Sequence, residues 1–131
     1  MSTIFSKIVK GEIPCHKIAE DENYLAFLDV SPLAEGHTLV IPKVETDYIF
    51  DMSDEALAGL HVFSKKVAHA VKAAIPCKKI GVAIIGLEVA HAHVHLIPLQ
   101  TVQDINFSRP KLSPSQDELK ATAEKIRAAL Q

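Results

Sequence analysis

Val89-Ala90-His91-Ala92-His93-Val94-His95-Leu96-Ile97-Pro98 is the stretch that decides the fold. Histidine recurs at every second position within an apolar run, the period of a β-strand, whose side chains alternate between the two faces of a sheet. The three imidazoles are therefore expected on one face, with Ala92, Val94 and Leu96 pointing into the core on the other. Free imidazole titrates near pH 6.5. Adjacent rings discourage one another from being charged together, so one can stay neutral while another holds a proton. A neutral ring nitrogen beside a proton donor suits phosphoryl chemistry. It attacks phosphorus when its other nitrogen donates to a fixed acceptor, for which a strand carbonyl would serve, and a protonated neighbour would supply positive charge.

A metal site is the rival reading. Residues four apart on a strand are separated by roughly 13 Å, too far for His91 and His95 to share an ion. Two adjacent members of the row joined by His37 remain an open ligand set, since zinc accepts imidazole nitrogen at about 2.0 Å.

The rest of the chain reads around this stretch. Ile4, Phe5, Ile8 and Val9 form a short helical stripe closed by Gly11 and Pro14. Lys17 to Glu20 and Tyr24 to Leu28 read as strands joined by a polar turn, and His37 to Ile41 as a third strand stopped by Pro42. From Ser53 the period becomes helical through Leu57, Leu60, Ser64, Val67, Val71 and Ala74, with Asp54 and Glu55 in the first turn and Pro76 as the stop. Lys79 to Ile85 is a fourth strand, which a turn at Gly86 leads into the histidine strand as a hairpin. Thr101 to Lys111 reads as loop. Ser113-Pro114-Ser115-Gln116 has the form of a capping box with proline at the first helical position, opening a last helix on Leu119, Ala123, Ile126 and Leu130.

Hairpin-linked strands and segregated helices give an α+β, antiparallel fold, with residues 1–131 as a single domain. No glycine-rich phosphate loop is present, so a nucleotide would be held by side chains and strand-edge backbone. The formal net charge of −2 excludes the basic surface that polymeric nucleic acid requires. Two distant cysteines, Cys15 and Cys77, give no disulfide framework. No segment has the length of a membrane span or the pattern of a secretory signal, which points to a cytoplasmic protein. His16, His61, His69 and Arg109 read as surface or boundary residues.

His91-Ala92-His93-Val94-His95-Leu96-Ile97 resembles the His-x-His-x-His signature of the histidine triad family. Thr3 to Ile8 with Glu12-Ile13-Pro14, Leu25 to Pro32, and Gly36 to Lys43 resemble further blocks of that family in the same order, over roughly residues 3 to 98. The phosphoramidase-like branch is the nearest in kind. The resemblance implies a five-stranded antiparallel sheet with helices on one side, a long central helix and a C-terminal helix, joined to a ten-stranded sheet in a homodimer. It implies a small-molecule nucleotide as substrate, commonly a purine nucleoside phosphoramidate, and neither a metal nor another cofactor. By the same carry-over His93 is the nucleophile that takes the nucleotide covalently, His91 orients it, His95 faces the phosphate, and His37 contacts the row from a neighbouring strand. Ile4, Phe5, Ile8, Phe27 and Val30, with Val89 beside them, would bound the base site, and Asp29 would accept from the ribose hydroxyls.

Three departures stand out. Thr3 and Ser6 replace a cysteine pair that binds zinc in some relatives, so no structural zinc is expected. Gly86-Leu87-Glu88 replaces Gly-Gln-Ser or Gly-Gln-Thr, exchanging a phosphate-facing hydroxyl for the carboxylate of Glu88, which repels phosphate or serves as a proton donor. Val44-Glu45 makes the rim after the third strand more acidic. The activity implied is therefore a nucleotidyl hydrolase or transferase acting through His93. The alternatives are a nucleotide-binding module with little turnover and a metal-dependent hydrolase.

Overall fold

The computed structural model describes residues 2–130. In chain order the elements are α1 (Ile4–Val9), β1 (Lys17–Glu20), β2 (Tyr24–Leu28), β3 (Thr38–Pro42), α2 (Asp54–Ala74), β4 (Lys79–Ala83), β5 (Val94–Leu99) and α3 (Gln116–Ala128), with short 3-10 turns at Ile49–Asp51 and Val102–Ile105. The strands form one five-stranded sheet in the order β1-β2-β3-β5-β4, and each neighbouring pair is antiparallel. No helix among the described residues is long and apolar enough to cross a membrane.

Period-two alternation gives the sheet two apolar faces. Ala26, Leu28, Val40, Val94 and Leu96 pack with Leu60, Val67 and Val71 of α2 and with Leu119, Ala123 and Ile126 of α3. Leu25, Phe27, Leu39 and Ile41 point the other way, onto Phe5 of α1. The expectation of helices on one side thus holds for α2 and α3, while α1 covers the opposite face.

Several boundaries differ from the sequence reading. β5 begins at Val94, so of the three histidines only His95 lies within a strand. The reason is that β3 pairs with β5 no further than Val40 opposite Val94, and the preceding segment is held instead by the Ala92 N–H to the Thr46 carbonyl at 2.6 Å. Alternation nevertheless persists, because Ala92 joins Val94 and Leu96 in the helix-covered core. β4 stops at Ala83, where its pairing with β5 ends opposite His95, so Ile84 and Ile85 have no strand to meet and the link to β5 is an open loop rather than a tight turn. Pro42 is the last residue of β3, paired with Tyr24 of β2 but lying beyond the β5 pairing. α3 starts two residues late: Ser115 is the cap, accepting from Glu118 N–H at 3.1 Å while the Glu118 carboxylate accepts from Ser115 N–H at 2.9 Å. A carboxylate at that position gains from the helix dipole, which the Gln116 amide of the expected box would not.

Gly36 has φ +90°, a conformation open to glycine, and so turns the chain immediately before His37. Gly59 lies inside α2 for a different reason: a Cβ there would stand 2.2 Å from the Tyr24 hydroxyl, which donates to the Ala56 carbonyl at 2.9 Å. Gly59→Ala should gain about 1 kcal/mol in helix propensity yet destabilise the protein by about 1–3 kcal/mol net, because Tyr24 must move and its bond is lost. Urea unfolding of the two proteins gives the sign.

Candidate active site

β3 and β5 lie side by side in the sheet and bring His37, which the sequence placed in the strand but which stands one residue before β3, against His95. Their rings pair through His37 Nε2 and His95 Nδ1 at 2.9 Å. His93 stacks edgewise on His95 with ring centroids 4.9 Å apart. His91 does not line the cleft that the other rings share. It is fully buried behind His93, against Phe5 at 5.8 Å between centroids. The row is therefore a graded set, with one ring in the interior and two at a cleft.

Main-chain groups fix the tautomers, since an N–H only donates and a carbonyl only accepts. His91 Nε2 lies 2.8 Å from the Pro42 carbonyl and must carry a proton. His93 Nδ1 lies 2.8 Å from the His91 carbonyl and must carry one too, which leaves the lone pair of a neutral His93 on Nε2. The Leu33 N–H donates to His37 Nδ1 at 3.0 Å, so a neutral His37 bears its proton on Nε2 and gives it to His95 Nδ1. His95 then presents Nε2–H. Every fully buried side-chain nitrogen or oxygen among the described residues has a partner, so the unpartnered Nε2 atoms of His93 and His95 are the ones that reach solvent.

A second network holds His91 from behind. Glu45 Oε1 accepts from the Ser6 hydroxyl at 2.5 Å and from Thr3 N–H at 3.0 Å. With the Ser6 proton committed to Glu45, the Thr3 hydroxyl, 3.1 Å away, is the one that donates to His91 Nδ1. Thr3 also caps α1 by accepting Ser6 N–H at 3.0 Å, so the helix and the histidine segment share one anchor.

Burial pushes His37 down to about 3 and His95 down to about 4, aided by neighbouring histidines and by Lys111. His91 is also lowered, chiefly by burial, against the opposing pull of the Pro42 carbonyl and Glu45. The positive charge expected from a protonated neighbour in the row is thus not available from these three rings near neutral pH. Burial dominates because in each neutral ring the nitrogen that would take a further proton, Nδ1, already accepts a hydrogen bond, so the added charge would find little water and no acceptor. The unfolded chain takes up protons as pH falls through about 6.5, whereas folded His37 and His95 do not until about 3 and about 4. Stability is consequently full above pH 7 and should fall on acidification, by about 1.4 kcal/mol per pH unit for each ring around pH 5. Denaturant titrations at pH 7.5, 6 and 5 measure this, and a flat profile would contradict buried neutral rings.

The cleft encloses about 220 Å³ and is lined by Asp29, His37, His93 and His95, by the loop Ile85 to Glu88, and by Phe107 and Lys111. Asp29 serves its own turn, one carboxylate oxygen accepting from Ser31 N–H at 2.9 Å, while the other lies 3.7 Å from His37 Nε2. Its carboxyl is raised above the ordinary value, first by burial and also by Glu88. Of the expected apolar residues, Phe5, Phe27, Ile8 and Val89 gather in one cluster, and Phe5 meets the His93 ring at 5.0 Å. Ile4 and Val30 do not join it and are 50% and 56% exposed.

The sequence reading missed Phe107 and Lys111. Phe107 packs edgewise on His95 at 4.8 Å, and the signal for it was an aromatic residue isolated in a polar loop. Arg109, weighed in that loop, turns away to Asp104 at 3.2 Å.

The metal-site alternative finds a different donor set from the one expected. Asp29, His37 and His95 have ligand atoms within 4.8 Å of one another. For His37 to offer its Nε2 lone pair, the ring proton would have to move to Nδ1, where it would oppose the Leu33 N–H. The hydrogen bonds present therefore favour the shared proton over an ion.

The chain is 39% identical over 128 residues to adenosine 5′-monophosphoramidase hnt1 of Schizosaccharomyces pombe, covering 96% of each. It is 42% identical over 96 residues to adenosine 5′-monophosphoramidase HNT1 of Saccharomyces cerevisiae, covering 72% of this chain and 61% of that one. Among solved structures, a Hit-like protein involved in cell-cycle regulation from Bartonella henselae superimposes with a TM-score of 0.86 at 34% identity, over 98% of this chain and 97% of that one. The HIT domain family model matches residues 10–102, a span that holds both β3 and the histidine row, and the chain belongs to the HIT family.

Proposed function

We propose that the protein is a nucleoside phosphoramidase, cleaving purine nucleoside 5′-phosphoramidates or related nucleoside phosphates through a nucleotidyl-His93 intermediate. The observation that carries this reading is the 2.8 Å contact from His93 Nδ1 to the His91 carbonyl, which pins the proton on one side of the ring and leaves the nucleophilic lone pair on the other. The two relatives named as adenosine 5′-monophosphoramidases support the substrate class.

In the first step His93 Nε2 forms a bond to phosphorus, and the bond to the leaving amine breaks. The bonding pair departs with the amine nitrogen, which takes a proton from water at the cleft mouth. The ring becomes cationic while it holds the nucleotide, and its Nδ1–H to the His91 carbonyl stabilises that charge. His95 Nε2–H donates to a phosphoryl oxygen. In the second step water attacks phosphorus, its proton returns to solvent, and neutral His93 leaves with its pair. Phe5, Phe27, Ile8 and Val89 form the apolar side of the base site, with Ile4 and Val30 at its exposed rim, and Asp29 accepts from the ribose. The same intermediate makes transfer to an acceptor other than water possible.

A homodimer is part of this reading. β4 is an edge strand whose outward Val82 is 55% exposed, and two such edges meeting would continue the sheet to ten strands. Glu88 in the cleft favours a second reading, nucleotide binding with slow turnover, because a carboxylate beside Asp29 opposes an anionic ligand. Incubation with adenosine 5′-phosphoramidate followed by a denaturing quench separates the two. Label recovered on the protein supports the phosphoramidase. Saturable binding without label or AMP release supports the module.

A further inference from the structure

Phosphoryl transfer needs positive charge near the phosphoryl oxygens, and the histidine pair at the cleft is wired through hydrogen bonds that suit neutral rings. Two carboxylates, Asp29 and Glu88, add negative charge to the same space. Among the described residues, the one lysine or arginine lining the cleft is Lys111.

The loop that carries Lys111 is pinned on both sides. Phe107 packs on the His95 ring at 4.8 Å and on the His37 ring at 6.3 Å, and Leu112 N–H donates to the Pro32 carbonyl at 2.8 Å, tying the chain to the turn that bears Asp29. The Lys111 ammonium lies 5.8 Å from the Phe107 ring centre and donates to the Phe107 carbonyl at 2.8 Å. An ammonium has three donors, and no ion pair with a carboxylate of the described residues engages the others. It stands close enough to contribute to the lowering of His37 and His95 and to oppose the rise that burial gives Asp29.

We propose that Lys111 is the phosphate-binding cation of this site, contacting non-bridging phosphoryl oxygens of the nucleotide, so that the ligand class selected is an anionic nucleoside 5′-phosphoryl compound rather than a bare nucleoside. This rests on the phosphoramidase reading for its substrate and extends it to the residue that offsets the charge. The Lys111 side chain is exposed at the cleft mouth, so its replacement leaves the core intact, and a phosphate closing on it would displace water rather than a protein partner. A lysine serves here as a mobile point charge, able to follow the phosphorus as the leaving group departs.

The test compares wild type, Lys111→Met and Lys111→Arg by calorimetric titration with AMP and with adenosine, alongside trapping of label from adenosine 5′-phosphoramidate. Lys111→Met should weaken AMP by about 10- to 100-fold, the range of a lost charge-assisted contact, leave adenosine within about 2-fold, and slow labelling in proportion. Lys111→Arg should recover most of the AMP affinity. Equal losses for AMP and adenosine, or unchanged AMP affinity, would overturn the assignment. If wild type is labelled while Lys111→Met matches it in labelling and AMP affinity, Lys111 fails and the phosphoramidase stands. If wild type is never labelled but AMP affinity still falls selectively in Lys111→Met, the phosphate-binding role stands and the covalent chemistry fails.

Discussion

His93→Ala is expected to abolish covalent capture of nucleotide and to lower kcat/KM for an adenosine phosphoramidate by about four orders of magnitude, the scale on which enzymes lose activity without their nucleophile. His93 is 7% exposed and its Nδ1 proton is held by the His91 carbonyl. No other imidazole of the site combines an accessible nitrogen with a lone pair on it: His95 presents a donor, His91 is enclosed, and both His37 nitrogens are occupied. Neither neighbour can substitute without exchanging a proton against a main-chain partner. Mass spectrometry of the quenched protein should locate the adduct on the tryptic peptide bearing residue 93, and AMP affinity should survive within about 10-fold because the other contacts remain. An adduct that persists in His93→Ala would require a different nucleophile.

The next largest effect is expected at His37. Its ring fills a buried site, 1% exposed, and takes the Leu33 N–H while passing its own proton to His95. His37→Ala leaves that amide without an acceptor and opens a cavity, which together should cost about 3–5 kcal/mol of stability. Turnover should fall by about 10- to 100-fold even at temperatures where the variant is folded, because His95 is then free to adopt the tautomer with its lone pair toward phosphate. Nitrogen chemical shifts of labelled histidine report the tautomer directly: wild-type His95 should bear its proton on Nε2, and the variant should be mixed. Faster hydrogen exchange at Leu33 would accompany it. An unaltered His95 tautomer would show that something other than His37 sets it.

Much of this was legible in the chain. The bounds of β1 and β2 follow from two short apolar runs separated by Asp21-Glu22-Asn23, and α2 from a stripe capped by Ser53 and ended before Pro76, because these signals are local. The histidine row was legible as a row but not as three unequal residues. Where β5 begins depends on how far β3 reaches across the sheet, a non-local matter that no spacing records. Protonation was misread for the same reason, since a strand of alternating rings does not reveal that burial holds His37 and His95 neutral. Lys111 and Phe107 escaped notice because their loop has no period. It reaches the cleft through anchors on Pro32 and His95, which are remote in sequence.

Three of the contacts that set the rings of this site end on peptide groups: the Pro42 carbonyl, the His91 carbonyl and the Leu33 amide. None of them belongs to a side chain, so substituting the residues that carry them, proline excepted, leaves the wiring in place as long as the backbone path is kept. Alanine at residue 33 or 42 would leave these two contacts in place, whereas His91→Ala would keep the carbonyl but remove a fully buried ring. Weakening the amide between His91 and Ala92 to an ester by chemical ligation would unsettle His93 without altering a single side chain, and relatives could drift at residues 33 and 42 while keeping the same acid–base arrangement.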